Sequence, residues 1–312
     1  DETGWRWIFA VNLPIGVIVL VAAIALLPSE AAGKATSNDL IGLVLLSGAL
    51  VALLVPLIQG QEEGWPLWTY LSIGGGVLLV VLFALWERSV ASRGKDPLVP
   101  PRLFAHAQFA AGTILALVFF AAFTSIFFTI SLLWQAGLGH TALESGLVSV
   151  PFAIGNIIGA SQSDRLAARL GRAVLAIGVA LLTIGLTALF LILLLVPTAD
   201  LTNWTLLGPL LVAGLGSGLF IAPNVRFIVA TVDRSEAGAA SGVIGTMQRV
   251  GAAAGIAVIG SVFFGNIGPI AGPADLPAAF GQAATPALAV SAALALAAFL
   301  LVFTLPKRVQ LH

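Results

Sequence analysis

A single permanent charge stands in an apolar, glycine-rich run: Arg249, within GTMQRVGAAAGIAVIG at residues 245–260. A guanidinium keeps its proton at every pH that a protein meets, so Arg249 cannot itself carry a proton across a barrier. It can only attract a carboxylate, an anionic ligand group or backbone carbonyls. Gln248 beside it could hold it in place. Gln135, Asn156 and Asn224 also interrupt apolar runs, and an amide cannot satisfy all its donors and acceptors within its own helix. The hydroxyls of Thr124, Ser125, Thr129 and Ser131 say less, because each can return its bond to a carbonyl one turn back. Gln108 opens the same stretch. No His-Glu-x-x-His, no Gly-x-Ser-x-Gly before a helix and no paired aspartates at depth appear, which excludes the usual intramembrane enzymes. A channel would need a charged ring or a filter loop, likewise missing. Cysteine is absent and the three histidines (His106, His140, His312) lie far apart. No catalytic residue, metal site or cofactor is therefore expected.

The elements that must position these residues follow from composition. Of 312 residues 59% are hydrophobic and 9% charged, too few charges to cover a water-soluble fold of this length. The mean hydropathy of +1.06 points the same way: an integral membrane protein. A hydrocarbon core of about 30 Å takes about 20 apolar residues as a helix. Nine such runs are predicted, at 7–27, 40–59, 67–86, 108–134, 145–163, 173–196, 205–225, 237–265 and 287–305. Backbone polar groups in lipid must be satisfied within the segment, and the short alternating strands of a barrel are not seen, so the runs are helices. The fold class is all-α. Runs 173–196 and 287–305 carry little beyond apolar residues and are expected to face lipid all round. Pro14, two residues after Asn12, is expected to kink the first.

Net charge is zero, so no nucleic-acid partner is implied. The cations fall on alternate gaps: Lys34; Arg88, Arg93, Lys95 and Arg102; Arg165, Arg169 and Arg172; Arg226 and Arg234; Lys307 and Arg308. The opposite gaps hold only Arg6. The positive-inside rule then puts these twelve, with the C-terminus, in the cytoplasm. Trp5, Trp7, Trp65, Trp68, Trp86, Trp134 and Trp204 sit near span ends, where amphipathic rings anchor at the interface. The acids Asp39, Glu87, Glu144, Asp164, Asp233, Glu236 and Asp275 map to ends or loops, which leaves Arg249 without a counter-ion at depth.

GWRWIFAVNLPIGV (4–17) resembles the sixth helix of the major facilitator superfamily, in its fourteen-helix drug:proton antiporter branch. LLWQAGLGHTALESGLVSVPFAIG (132–155) is similar to that branch's passage from the seventh to the eighth core helix. SDRLAARLGR (163–172) resembles a C-terminal copy of the superfamily's Asp-Arg, Gly-Arg loop, with the spacing stretched. GSGLFIAPN (216–224) and GAASGVIGTMQRVGAAAGIAV (238–258) resemble its tenth and eleventh helices. The five pieces stand in the family's order over nearly the whole chain.

The resemblance implies a nine-helix portion of a major-facilitator-type bundle: residues 1–30 as the last helix of the N-terminal half, 31–105 as two inserted linker helices with their cytoplasmic loop, and 106–312 as the C-terminal six-helix half. Core helices one to five, with the acids that bind the coupling proton, would belong to polypeptide outside this sequence. The implied function is a secondary active transporter of the plasma (inner) membrane, exporting drugs or small metabolites against protons by alternating access. A non-transporting membrane remnant or scaffold is the alternative. Implied partners are the lipid bilayer, a small lipophilic substrate, protons and the missing N-terminal half.

On this resemblance Arg249, Gln248, Gln135, Asn156 and Asn224 are candidates for substrate contact or coupling, while Asp164, Arg165, Gly171 and Arg172 are candidates for a gating loop. Each also has a plainer role open to it: Arg249 tied to carbonyls and Gln248, the amides bonding helix to helix, the loop arginines attracted to anionic headgroups. Gly155 with Gly159, Gly214 with Gly218, Gly238 with Gly242 and Gly251 with Gly255 form small-xxx-small pairs. They serve either static packing or, at Gly155, Gly159, Gly238, Gly242, Gly251 and Gly255, a smooth surface on which the two halves rock.

Overall fold

The computed structural model describes residues 10, 12–26, 39–60, 63–95, 97–230, 232–233 and 236–305, and every regular element among them is helical. Arg6, Trp5, Trp7, Lys34, Arg234, Lys307 and Arg308 lie outside the described residues. Contacts divide the chain into two compact units, 1–38 and 39–312. The first contributes α1 (Asn12–Leu26), an apolar 15-residue helix that falls inside the predicted span 7–27. Pro14 sits in its first turn.

The second unit holds eight helical spans long and apolar enough to cross a membrane. These are α2 (Leu40–Gln59), α3 (Leu67–Ser92), α4 (Ala107–Leu132), α5 and α6 (Ala142–Val148, Val150–Leu170), α7 (Ala173–Leu195), α8 (Asn203–Val229), α9 (Ala237–Gly265) and α10 (Leu276–Val302). α4 runs on into a π-turn, Leu133–Gly137. α5 and α6 are one span interrupted at Ser149, where Pro151 in the first turn of α6 cannot donate a backbone hydrogen bond. Local chemistry sets several ends. Asp39 caps α2 by accepting from Gly42 N at 2.9 Å, Thr141 and Glu144 form a capping box at α5, and Gly171 ends α6 in a left-handed conformation at φ 56°.

α10 starts at Leu276, before the predicted 287, because Pro286 lies inside the helix. A span tolerates this when neighbouring helices cover the freed carbonyl.

Small residues decide the packing. α8 lies between α6 and α7, α4 lies between α9 and α10, and α10 joins α4 to α7. Where α6 meets α8 the glycines interlock: a methyl group on Gly155 would stand 2.2 Å from Leu211 O, and one on Gly218 would stand 2.2 Å from Asn156 O. A methyl group on Gly251 or Gly255 of α9 would likewise stand 2.2 and 2.3 Å from the Leu117 and Ala121 carbonyl oxygens of α4. Between these contacts a core grows around Phe119 and Phe220, whose rings stack at 4.0 Å.

Two expectations need correction. α7 and α10 do not face lipid all round: α7 buries Val174, Gly178, Leu182, Gly185 and Leu189, and α10 buries Ala283, Ala287, Ser291, Ala295 and Ala298. In a helix that is apolar throughout, polarity does not mark the packed face: α10 packs mainly alanines, whereas α7 also buries Leu175, Leu182, Leu186 and Leu189 while Ile177 and Ile184 stay exposed. Trp134 is no interface anchor either; it is 1% exposed and donates to Asn203 Oδ1 at 3.2 Å.

The cations meet at one end of the bundle. Arg102 before α4 bonds Glu236 at the head of α9 at 2.5 Å, Arg226 in the last turn of α8 bonds Asp164 near the end of α6, and Arg172 before α7 reaches the carbonyls of Phe303 and Leu305 after α10.

The glycine contacts predict a ranking. Gly155→Ala and Gly218→Ala should each cost about 1–3 kcal/mol in unfolding measurements, since a methyl group there meets fixed backbone. Gly74→Ala, whose Cβ would meet nothing within 4 Å, should cost nothing. Equal losses at all three positions would contradict the packing described.

Candidate functional site

The candidate site is built on α9, whose two faces differ. Gly251 and Gly255 press that helix onto α4. On another face Gly238, Gly242, Gly245 and Arg249 follow one another at steps of four, three and four residues, the spacing of a single helical stripe. A Cβ at any of these three glycines would meet nothing within 4 Å. They form a strip without side chains that leads from the basic end of the bundle to the guanidinium. Arg249 lies twelve residues after Ala237 in a 29-residue helix, near mid-depth at about 1.5 Å per residue. It is exposed, Gln248 is half-buried, and neither makes a hydrogen bond or ion pair with any described residue.

The acids nearest the bundle's basic end and loops are mostly engaged elsewhere. Asp164 and Glu236 pair with Arg226 and Arg102, and Glu144 completes its cap beside His140. Glu87 corrects the expectation that all acids sit at ends or in loops. It lies inside α3, 2% exposed, and accepts from Val99 N at 2.8 Å.

The other candidates divide by what satisfies them. Gln135, exposed in the π-turn, donates to Ser131 Oγ at 2.6 Å and Ser145 Oγ at 3.4 Å. Asn156 Nδ2 donates to Ser217 Oγ at 2.7 Å, an α6–α8 bond beside the interlocked glycines. Asn224 lies inside α8, which continues to Val229; it is 1% exposed and its Oδ1 has no hydrogen-bond partner. Ser125 joins Ser291 across α4 and α10 at 2.7 Å. Thr129 Oγ1 is buried without a partner.

The loop at 163–172 does not act as one cluster. Asp164 bonds Arg226, Gly171 caps α6, Arg172 ties to the end of α10, and Arg165 is exposed with no bond to a described residue. The structure thus brings Asp164 together with Arg226, one of the basic residues that set the orientation. It also shows an aromatic ladder not among the candidates above: Phe123 and Phe127 of α4 contact Phe152 of α6 with ring centroids 5.6 and 5.0 Å apart. Phenylalanines at 119, 120, 123 and 127 share one helical spacing, a signal that was present but masked by the surrounding apolar residues.

A family model described as the Major Facilitator Superfamily matches residues 1–256. The chain belongs to the major facilitator superfamily. It is 37% identical over 276 residues to a probable actinorhodin transporter of Streptomyces coelicolor, a match covering 85% of this chain and 46% of that protein. It is 31% identical to the cephamycin export protein CmcT of Amycolatopsis lactamdurans, covering 89% and 57%. To the multidrug resistance protein Stp of Mycobacterium tuberculosis it is 30% identical, covering 84% and 47%. The chain spans about half the length of the relatives it matches. As a member of this superfamily with eight described spans it is a multi-pass membrane protein.

Within such a bundle Asn224 offers a test that separates stability from use. Its buried Oδ1 gains nothing from the present fold, so Asn224→Leu should leave unfolding stability unchanged or raise it by up to about 1 kcal/mol. A loss of 2 kcal/mol or more, on the order of an unpaired buried polar group, would show that the amide is needed for folding.

Proposed function

We propose that the chain is the C-terminal portion of a secondary active transporter of the plasma membrane that exports drugs or small metabolites by alternating access, coupled to proton entry. Its partners are then a small lipophilic substrate, protons, the bilayer and an N-terminal half of the same protein. The observation that carries this reading is Arg249: a fixed charge near mid-depth, on an open glycine-lined face, with no counter-ion among the described residues. A charge at the centre of a membrane helix costs about 3 kcal/mol to insert, and groups of this kind line substrate or ion paths far more readily than they face lipid. Relatives about twice as long as this chain support a second half that supplies the facing wall.

On this reading Arg249 does not move the proton. It attracts the carboxylate that does, on the facing half, or an anionic group of the substrate. When that carboxylate is protonated the attraction lapses, which gives the two halves a reason to change their contact with each proton bound. Gly238, Gly242 and Gly245 let the facing helices slide past α9 without side-chain obstruction. The interlocked α6–α8 and α4–α9 contacts keep the C-terminal half rigid as it rocks. The Phe123, Phe127 and Phe152 ladder suits a lipophilic cargo better than a hydrated one, and Gln135 and Asn156 supply the few polar contacts. The Asp164–Arg226 pair, exposed on both sides, is weak enough to break and reform in each cycle. By the positive-inside rule the basic end, with the C-terminus, faces the cytoplasm.

Arg249→Ala in the transporter should abolish proton-linked efflux while membrane insertion and expression stay normal. Arg249→Lys should keep part of it, since a point charge survives but the two-pronged geometry does not. Unchanged efflux in Arg249→Ala would reduce the residue to packing and remove the main support for this reading.

A further inference from the structure

Two carboxyl groups meet where α2 begins and α3 ends, away from the Arg249 face. Glu87 is buried; its Oε2 accepts from Val99 N at 2.8 Å, while Oε1 has no hydrogen-bond partner. Asp39 takes Trp86 Nε1 on both of its oxygens at 3.0 Å and Gly42 N on Oδ1 at 2.9 Å. Both groups crowd the bare Cα of Gly42. A Cβ there would stand 2.5 Å from Asp39 Oδ2 and 2.7 Å from Glu87 Oε1, so these two oxygens lie within about 5 Å of each other. Gly42 is what permits the meeting.

Among the described residues, the charged groups on the elements packed around this spot do not neutralise it. On and after α3, Arg88, Arg93 and Lys95 are exposed and make no bond to a described residue. In the 3-10 turn Pro101–Ala105, Arg102 bonds Glu236 at the head of α9, and His106 after the turn is exposed. The charge acting most strongly on Glu87 is that of Asp39. Burial pushes the Asp39 carboxyl up, but the bonds it accepts from Gly42 and Trp86 work against this, and it is held below the ordinary aspartate range. Asp39 is therefore ionised, and a second ionised carboxylate with a bare buried oxygen pointed at it would be repelled.

We propose that Asp39 and Glu87 form a proton-binding site, holding one proton between them as an O–H···O bond from Glu87 Oε1 to Asp39, and that this proton latches the inserted hairpin α2–α3 to the C-terminal bundle. The proton comes from solvent and returns to it; no other bond changes. The latch has reach because Glu87 also holds Val99 N, and Val99 and Leu103 pack with Phe83 of α3 and Phe109 of α4 against Ala240, Val243 and Ile244 of α9. α9 is the helix that carries Arg249. The site binds its proton whether or not the protein transports.

The sign of the pH dependence follows from the pair titrating in two steps. Below the first step Asp39 is protonated and its bonds to Gly42 and Trp86 weaken; above the second the shared proton leaves and two negative charges face each other. The latch is strongest between the steps. Hydrogen exchange of residues 97–105 and 40–46 in lipid nanodiscs, corrected for the intrinsic effect of pH, should show protection falling at least about tenfold on each side. Glu87→Gln, neutral at every pH, should lose the alkaline fall and keep the acid one. Wild-type protection that stays flat on the alkaline side, or a Glu87→Gln protein that falls like the wild type, would overturn the proposal. Infrared spectra of the wild type alone give a check that needs no variant: a protonated-carboxyl band at neutral pH, disappearing on the alkaline side, is expected, and its absence at neutral pH would overturn the proposal equally.

Discussion

An arginine in the middle of a membrane helix needs something negative or polar to face it, and the described chain gives Arg249 neither. Every other part of the C-terminal bundle can be read as the means of holding that charge in one place. Gly251 and Gly255 fix the far side of α9 against α4 at backbone distance, which sets the rotation of the helix. Rotation then determines that Gly238, Gly242 and Gly245 share the open face with Arg249. A helix turned by half a turn would place the guanidinium against the Leu117 and Ala121 carbonyls and would put the bare glycines inside.

Rigid and open surfaces are therefore divided cleanly between glycines of the same sequence type. Gly155, Gly159, Gly214 and Gly218 lock α6 to α8, and Gly178, Gly185 and Gly216 lock α7 to α8. In lipid the apolar effect gives helices no reason to prefer one another, so close backbone contact has to supply the attraction. Gly238 and Gly242 carry the same spacing but touch nothing. Within the described residues, three of the four small-xxx-small pairs hold the bundle together, and the fourth lies on the face that we assign to the moving contact.

Much of the fold was legible because lipid leaves so few choices. α2 and α9 have the bounds read from hydropathy, since charged or capping residues mark both ends of each apolar run. The start of α10 was misread at Pro286, where a water-based rule about proline was applied to a helix whose neighbours cover the exposed carbonyl. The lipid-facing assignment of α7 and α10 fails for a related reason: where all residues are apolar, polarity does not mark the buried stripe. At the site, Arg249 and Asn224 stood out as polar atoms in apolar runs. The partner of Asp164 does not stand out, because Arg226 comes from another helix and pairings across helices leave no local pattern. Glu87 follows directly on the apolar run that ends at 86 but lies inside α3, because the helix continues past that run to Ser92.

The claim on which the account turns is that the Arg249 face of α9 lines a water-accessible path and is not sealed in protein or lipid. The chain has no cysteine, so thiols introduced into it report without background from its own residues. In sealed membrane vesicles of each orientation, Arg249→Cys and Gly245→Cys should both react with a membrane-impermeant thiol reagent added from at least one side, while Gly255→Cys on the packed face should not. A thiol at 249 as inert as the one at 255 from both sides would contradict the account.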